Sequence, residues 1–80
     1  MLTEYVQALM RRAKYEILPK DGVYYGEVSA ARGVWATGET LEACGDELRE
    51  VLEEWLLIRI SRRLPLPKID GIELKIRPVA

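Results

Sequence analysis

The chain has 80 residues, of which 49% are hydrophobic and 31% charged, and its formal net charge is −1. This composition is typical of a folded protein, and a chain of this length forms one small domain that buries too little surface to enclose a large catalytic cavity. The nearly neutral charge provides no overall attraction to nucleic acid or to an anionic membrane. We therefore expect a single domain over residues 1–80 that does not bind nucleic acid directly.

Two residue types that carry much enzyme chemistry are scarce. The sequence contains no histidine, and Cys44 is its only cysteine. The missing histidine removes the commonest general base, the usual zinc ligand and the group that activates a serine or cysteine nucleophile. We expect a protein that is not an enzyme and that uses no cofactor and no metal. Because Cys44 falls on an apolar helical stripe, we assign it to the core and not to a nucleophilic site.

The apolar segments are short. The longest uninterrupted run covers residues 55–58, whereas a membrane-spanning helix needs roughly 20 apolar residues. At the N-terminus the apolar residues precede Arg11 and Arg12, which is the reverse of the order in a signal peptide. We expect no membrane insertion and a cytoplasmic location.

The N-terminal residues predict an amphipathic helix over residues 1–13. Apolar side chains recur there at the spacing of one helical stripe, namely Leu2, Tyr5, Val6, Leu9, Met10 and Ala13. From Lys14 the apolar period changes to two, which predicts a short strand that Pro19 ends. The tripeptide at 20–22, Lys-Asp-Gly, then predicts a hairpin turn.

Two further strands and a long helix follow. In the second strand Tyr24, Gly26, Val28 and Ala30 lie on one face and Tyr25, Glu27 and Ser29 on the other. Residues 34–37 predict a third strand, which Gly38 ends. Thr40 is a good N-cap, so a helix is expected to begin at Leu41. Its apolar stripe consists of Leu41, Cys44, Leu48, Val51, Leu52, Trp55 and Ile58.

The C-terminal residues predict a connector and a last strand. The sequence Leu-Pro-Leu-Pro at 64–67 cannot continue a helix. Asp70 and Gly71 predict a turn, and Leu74 and Ile76 alternate with charged residues in a final strand. The predicted order is helix, three-stranded antiparallel meander, long helix and final strand, which is a two-layer α+β fold.

The end of the long helix is apolar around more of its circumference than one sheet can cover. Exposed apolar patches of this kind generally mark protein interfaces, and tryptophan is frequent among the residues that contribute most to binding. We therefore expect the chain to form a homodimer or a higher homo-oligomer. The predicted interface residues are Trp55, Leu57, Ile58, Leu64 and Leu66.

The order of these motifs resembles the HicB-like antitoxin domain. The resemblance covers residues 14–77 and rests on the strand "GVYYGEVSA", the helix start "GETLE" at 38–42 and the two prolines Pro65 and Pro67. The N-terminal helix is an addition to the minimal domain. One departure is the connection "SAARGVW" before the third strand, where many members have a proline-containing turn.

The resemblance implies a truncated ribonuclease H-like fold and a function in binding. HicB-like proteins typically bind and silence HicA toxins, which are small basic ribonucleases that cleave mRNA. Many members also carry a C-terminal DNA-binding domain, and we expect this chain to be the standalone form without it. Residues expected to contact such a toxin are Tyr25, Glu27, Glu39, Glu42 and Glu47, since carboxylates complement a basic partner.

Other functions remain open from the sequence. The main alternative is a self-standing homo-oligomeric scaffold or small-ligand module without a toxin, and a third is a dimeric DNA binder that uses the N-terminal helix or the arginines near residue 60. A ribonuclease H-like sheet also leads to the hypothesis of a two-metal nuclease, in which Glu16, Glu27 and Glu73 would hold the metal ions. We favour cross-strand charge partners for these acidic residues, because lysines lie on the same strands.

Overall fold

The computed structural model describes residues 2–74. Five elements follow in the order α1 (Leu2–Arg11), β1 (Ala13–Leu18), β2 (Val23–Val28), β3 (Trp35–Gly38) and α2 (Leu41–Ser61). The strands form one antiparallel sheet in the order β1-β2-β3. The α+β architecture predicted from the sequence, with a helix, a three-stranded meander and a long helix, is confirmed.

The sheet has two different faces. On the face that packs against α2, here called the inner face, Tyr15 lies opposite Gly26, and Gly26 lies opposite Ala36. Gly26 and Ala36 are buried there. The other face, here called the outer face, carries the alternate residues of the same strands. This alternation matches the two faces that the sequence predicts for the second strand.

The core lies between the inner face and the two helices. Helix α2 contributes four buried residues at helical spacing, Cys44, Leu48, Leu52 and Leu56, and α1 contributes Tyr5, Val6, Ala8 and Leu9. Helix α2 begins where the sequence predicts, because the Thr40 hydroxyl accepts a hydrogen bond from the Ala43 amide at 3.0 Å. Such a cap satisfies one of the free amide groups of the first turn.

The first helix is shorter than predicted. It ends at Arg11, and Ala13 already belongs to β1, where it pairs with Val28. Ala13 fits the apolar stripe of a helix as well as the inner face of a strand, so the spacing alone did not locate the boundary. The change of direction occurs at Arg12, whose amide donates to the Leu9 carbonyl at 3.0 Å in a turn.

The connector after α2 is held against the N-terminal helix. The buried Tyr5 donates its hydroxyl proton to the Pro67 carbonyl, and Arg12 forms an ion pair with Asp70. The predicted turn at Asp70 and Gly71 is present, closed by a bridge between Ile69 and Ile72. The final strand was predicted around Leu74 and Ile76. Leu74 is not part of a strand, and residues 75–80 lie outside the described part of the chain.

Glycines allow α2 to approach the sheet closely. A Cβ atom on Gly38 would lie 2.5 Å from the backbone nitrogen of Cys44 and 2.8 Å from its Cα. A Cβ on Gly26 would lie 2.8 Å from the Tyr15 ring and 3.2 Å from the Cys44 sulfur. Since the obstacle at Gly38 is helix backbone, a side chain there requires α2 to move.

We predict that Gly38→Ala lowers the free energy of unfolding by about 2 kcal/mol, because the new methyl group overlaps the first turn of α2. Gly45→Ala is the matched control. Its Cβ would meet only the Tyr15 hydroxyl at 3.5 Å, and replacing a helical glycine with alanine gains about 0.5–1 kcal/mol. Urea unfolding monitored by circular dichroism measures both changes. Equal stability of the two variants would contradict the close approach.

Candidate partner-binding surface

The outer face of the sheet is open. Five of its residues are exposed, namely Lys14, Glu16, Glu27, Trp35 and Thr37, and Tyr25 is half-buried. No helix in the described part of the chain packs against this side, because α1 and α2 both contribute to the core on the inner face. An antiparallel sheet with one solvated face usually carries polar residues there. The two aromatic side chains on this face therefore stand out.

Tyr25 on the central strand β2 and Trp35 on the edge strand β3 form a stacked aromatic pair on the outer face. Their ring centroids are 6.1 Å apart with an angle of 24° between the planes. Tyr25 faces Thr37 directly across the β2–β3 ladder, and Trp35 faces Glu27, so the two rings meet along the diagonal. Trp35 is 55% exposed. The pair is thus a preformed apolar platform that still has much of its surface to lose to a partner.

Carboxylates flank this platform. The Tyr25 hydroxyl donates to Glu27 Oε2 at 3.4 Å, and Glu16 lies opposite Tyr25 in the β1–β2 register. Partial removal from water raises the pKa of Tyr25, and the charge and hydrogen bond of Glu27 and the charge of Glu16 raise it further. Lys14 lies opposite Glu27. The outer face therefore combines aromatic surface with negative charge and one cation.

The outward edge of β3 borders the same surface. The Val28 amide donates to the Val34 carbonyl at 3.2 Å, which fixes the phase of the β2–β3 ladder. Residues 34, 36 and 38 therefore point their main-chain groups toward β2, and Trp35 and Thr37 point theirs away from it. No strand within residues 2–74 pairs with this side of β3.

A groove runs between this edge and α2. It has a volume of about 440 Å³ and is lined by Trp35, Ala36, Thr37, Gly38, Ala43, Glu47 and Val51. Glu47 supplies the only charged side chain among these lining residues. Glu54 lies two turns further along the same side of α2. The groove therefore has both apolar and polar surface, and its helical wall carries the Glu47 carboxylate.

The residues predicted to contact a toxin do not form a single patch. Tyr25 and Glu27 lie on the outer face, and Glu47 lines the groove beside β3. Glu39 is exposed between β3 and α2. Glu42 lies about 140° around α2 from Glu47, so the two point to different sides of the helix. The structure thus places Tyr25 and Glu27 together on the outer face and Glu47 in the neighbouring groove, and it separates Glu42 from Glu47.

The residues predicted for an oligomer interface are also spread out. Trp55 and Leu66 are half-buried against the core, and the Arg59 guanidinium lies 5.0 Å from the centroid of the Trp55 ring. Leu57, Ile58 and Leu64 are exposed, but Leu57 and Ile58 point about 100° apart on the helix. Homo-oligomerisation through this end of α2 remains a prediction.

The acidic residues of the nuclease hypothesis do not converge. Glu16 and Glu27 lie diagonally on the outer face, where Tyr25 and Lys14 are their direct cross-strand neighbours. Within residues 2–74, no three acidic, cysteine or histidine side chains lie close enough to hold a metal ion together. Cys44 is fully buried, as predicted, and burial raises the pKa of its thiol. The predicted core position of Cys44 is thus confirmed, and the acidic residues are cross-strand neighbours of Tyr25 and Lys14.

Sequence reasoning missed Trp35 as the partner of Tyr25 and the open edge of β3. The strand alternation placed Tyr25 on the outer face. The same alternation could have placed Trp35 there, because Trp35 immediately precedes the buried Ala36 in its strand. The stacking depends on the register between β2 and β3. The length of the intervening loop does not reveal that register by itself.

We predict that Glu27→Gln lowers the pKa of Tyr25 toward its ordinary value, because the variant removes the nearby negative charge that disfavours the phenolate. The pKa stays somewhat raised, since partial burial and Glu16 remain. Ultraviolet titration of the tyrosines, with Tyr25→Phe subtracted to isolate the signal, measures the shift. Lys14→Gln serves as the control on the same face and must not lower the value. A Tyr25 titration that ignores Glu27 would contradict the described contact.

Comparison with known proteins places the chain in a family. No curated protein matches the sequence significantly. None of the helices in the described residues has the length and hydrophobicity needed to span a membrane. The crystal structure of TTHA0281 from Thermus thermophilus is similar, with a TM-score of 0.89 and 37% sequence identity over 96% of this chain and 95% of that one. The UPF0150-like family matches residues 4–67, and the chain belongs to this family.

Proposed function

We propose that the chain is an antitoxin of the HicB type that binds and inhibits a small, basic, mRNA-cleaving ribonuclease of the HicA type. Two lines of evidence support this function. The UPF0150-like family is associated with HicB-like proteins of toxin–antitoxin systems. The sequence itself has the strand, the helix start and the two prolines that resemble the HicB-like domain.

One structural observation carries the proposal. The open outer face presents the stacked Tyr25–Trp35 pair with Glu16 and Glu27 around it, next to the acidic groove beside β3. Aromatic side chains at the centre of a surface are frequent binding hot spots, and complementary charge directs the approach of a basic partner. An exposed aromatic and acidic surface of this kind fits a basic protein better than it fits RNA, whose phosphates need cations.

Inhibition in this proposal requires no chemistry from the chain. A standard interface covers about 800 Å² on each partner, which is enough to block the active surface of a small ribonuclease. The aromatic pair contributes apolar contact area, and the carboxylates occupy cationic side chains that the ribonuclease would otherwise use to hold RNA phosphates. The antitoxin then acts as a competitor of the substrate.

We predict that the tagged chain, purified from its native cell, brings down a small basic ribonuclease whose cleavage of RNA stops when the chain is added in stoichiometric amount. Trp35→Ser weakens this inhibition by about tenfold or more, since a central aromatic anchor is lost. Leu57→Ser is the matched control, because Leu57 is 66% exposed but lines the groove between α1 and α2 and does not lie on the outer face. Gel assays of RNA cleavage at graded ratios of the two proteins provide the measurement.

Two results would contradict the proposal. If no ribonuclease is recovered under conditions in which neighbouring genes are expressed, the proposed antitoxin function is wrong. Loss of inhibition with Leu57→Ser but not with Trp35→Ser would move the binding surface to the C-terminal half of α2.

A homo-oligomeric scaffold is the second candidate, and one observation favours it. Leu57 borders a mainly apolar groove of about 350 Å³ between α1 and α2, which Leu2, Val6, Leu56 and Ile60 also line. Exposed apolar surface in a small domain is often covered by another protein chain. Recovery of the homo-oligomer alone from the native cell would support this candidate over the antitoxin.

A further inference from the structure

We propose that the outward edge of β3 binds an extended, lysine- or arginine-bearing segment of the protein partner as an added strand. This inference rests on the proposed function in one respect, namely that the partner is a basic protein. It goes further by naming the part of the chain that is engaged, the form of the bound segment and the type of contact. Strand addition to a sheet edge is a general mode of protein recognition.

The edge offers a complete set of main-chain contacts. Because the ladder phase turns the amide and carbonyl groups of Trp35 and Thr37 away from β2, both residues present donors and acceptors along the edge of the sheet, and no strand within residues 2–74 pairs with them. An antiparallel or a parallel segment laid along this edge can form up to four main-chain hydrogen bonds with these two residues. Such bonds give affinity without requiring a particular side chain.

Within residues 2–74, this edge has one of the features by which proteins usually protect an exposed strand, namely its short length of four residues, and it lacks the protective residue types. Residues 35–38 read Trp-Ala-Thr-Gly and contain no lysine, no proline and no charge. An unprotected edge favours pairing with another chain and is therefore a liability unless pairing is its role. Strand β1 differs, since it carries Lys14 and Glu16 and is followed by Pro19.

The side chains around the edge indicate the character of the bound segment. In an added strand, alternate side chains would point to the two faces of the extended sheet. Those on the outer face would meet Trp35, and those on the inner face would enter the groove with Glu47 and, further along α2, Glu54. We therefore expect apolar residues at the first set of positions and lysine or arginine at the second.

A second copy of the same chain is a poorer occupant. A symmetric dimer through this edge would relate the two β3 strands by a two-fold axis, so that each groove wall would face its own counterpart. The exposed Glu47 and Glu54 carboxylates of one copy would then approach those of the other. Like charges opposed in this way disfavour the contact, whereas a basic segment would be attracted.

The first test uses a synthetic probe. A peptide of about eight residues in which lysine alternates with valine is titrated into the ¹⁵N-labelled chain, and a glutamate–valine peptide of equal length serves as the control. We expect the amides of Trp35 and Thr37 to shift and to become protected from exchange with solvent, and the basic peptide to bind at least about tenfold more tightly. Equal binding of the two peptides, or shifts confined to α1 and α2, would overturn the proposal.

Variants of the edge and of the groove test the geometry. Thr37→Pro removes one outward amide without breaking the β2–β3 ladder and is expected to weaken peptide binding about tenfold, and Thr37→Val is expected to leave it unchanged. Glu47→Lys is expected to weaken binding by about fivefold or more at low salt. The control is Glu53→Lys, which makes the same charge change about 120° around α2, beside Arg49 in the groove between the two helices. Circular dichroism of each variant establishes that it is folded.

The outcomes separate this inference from the proposed function. If the chain silences a ribonuclease and Thr37→Pro silences it equally well, the edge is not used and the inference fails while the function stands. If the basic peptide binds at the edge but no ribonuclease is found in the native cell, the inference stands and the function fails. Should Glu47→Lys alone leave peptide affinity intact, the charged wall plays no part and the predicted character of the segment is wrong.

Discussion

The close contact between Gly38 and the first turn of α2 fixes the position of the helix on the sheet, and the rest of the structure depends on that position. Because Gly38 lacks a side chain, the backbone of Cys44 lies directly against the end of β3, and the Cys44 sulfur reaches the Ala36 carbonyl at 3.6 Å. Helix α2 is thereby fixed on the inner face, where its buried stripe packs on Val28 and Ala36. Within residues 2–74, no helix covers the outer face and no strand pairs with the edge of β3.

Because the helices pack on one side of the sheet, the residues that form the core are separate from those proposed to bind a partner. The core residues of both helices lie on one side of the sheet, whereas the Tyr25–Trp35 pair and Glu27 lie on the outer face and Glu47 lies in the groove beside β3. Substitutions on the outer face can therefore change partner binding with little effect on the core.

Much of the fold follows from local patterns in the sequence, and the surface does not. Alternation placed Tyr25 and Gly26 on opposite faces, and Thr40 marked the start of α2, because both depend on neighbouring residues only. The end of α1 was misplaced since Ala13 suits either element. Three features could not be predicted in this way. The Tyr25–Trp35 stack and the open edge of β3 depend on strand register, and the hydrogen bond from Tyr5 to Pro67 joins residues that are distant in sequence. Periodicity carries no information on either.

Hydroxyl-radical footprinting would test whether the partner binds the outer face of the sheet, because the two tryptophans report on two different surfaces of one molecule. Oxidation of Trp35 and Trp55 would be quantified by mass spectrometry in the free chain and in its complex with the ribonuclease recovered from the native cell. If the partner binds the outer face, Trp35 and Tyr25 will be strongly protected and the oxidation of Trp55 will not change. Protection of Trp55 with Trp35 unchanged would place the partner on α2 and contradict the assignment of the outer face.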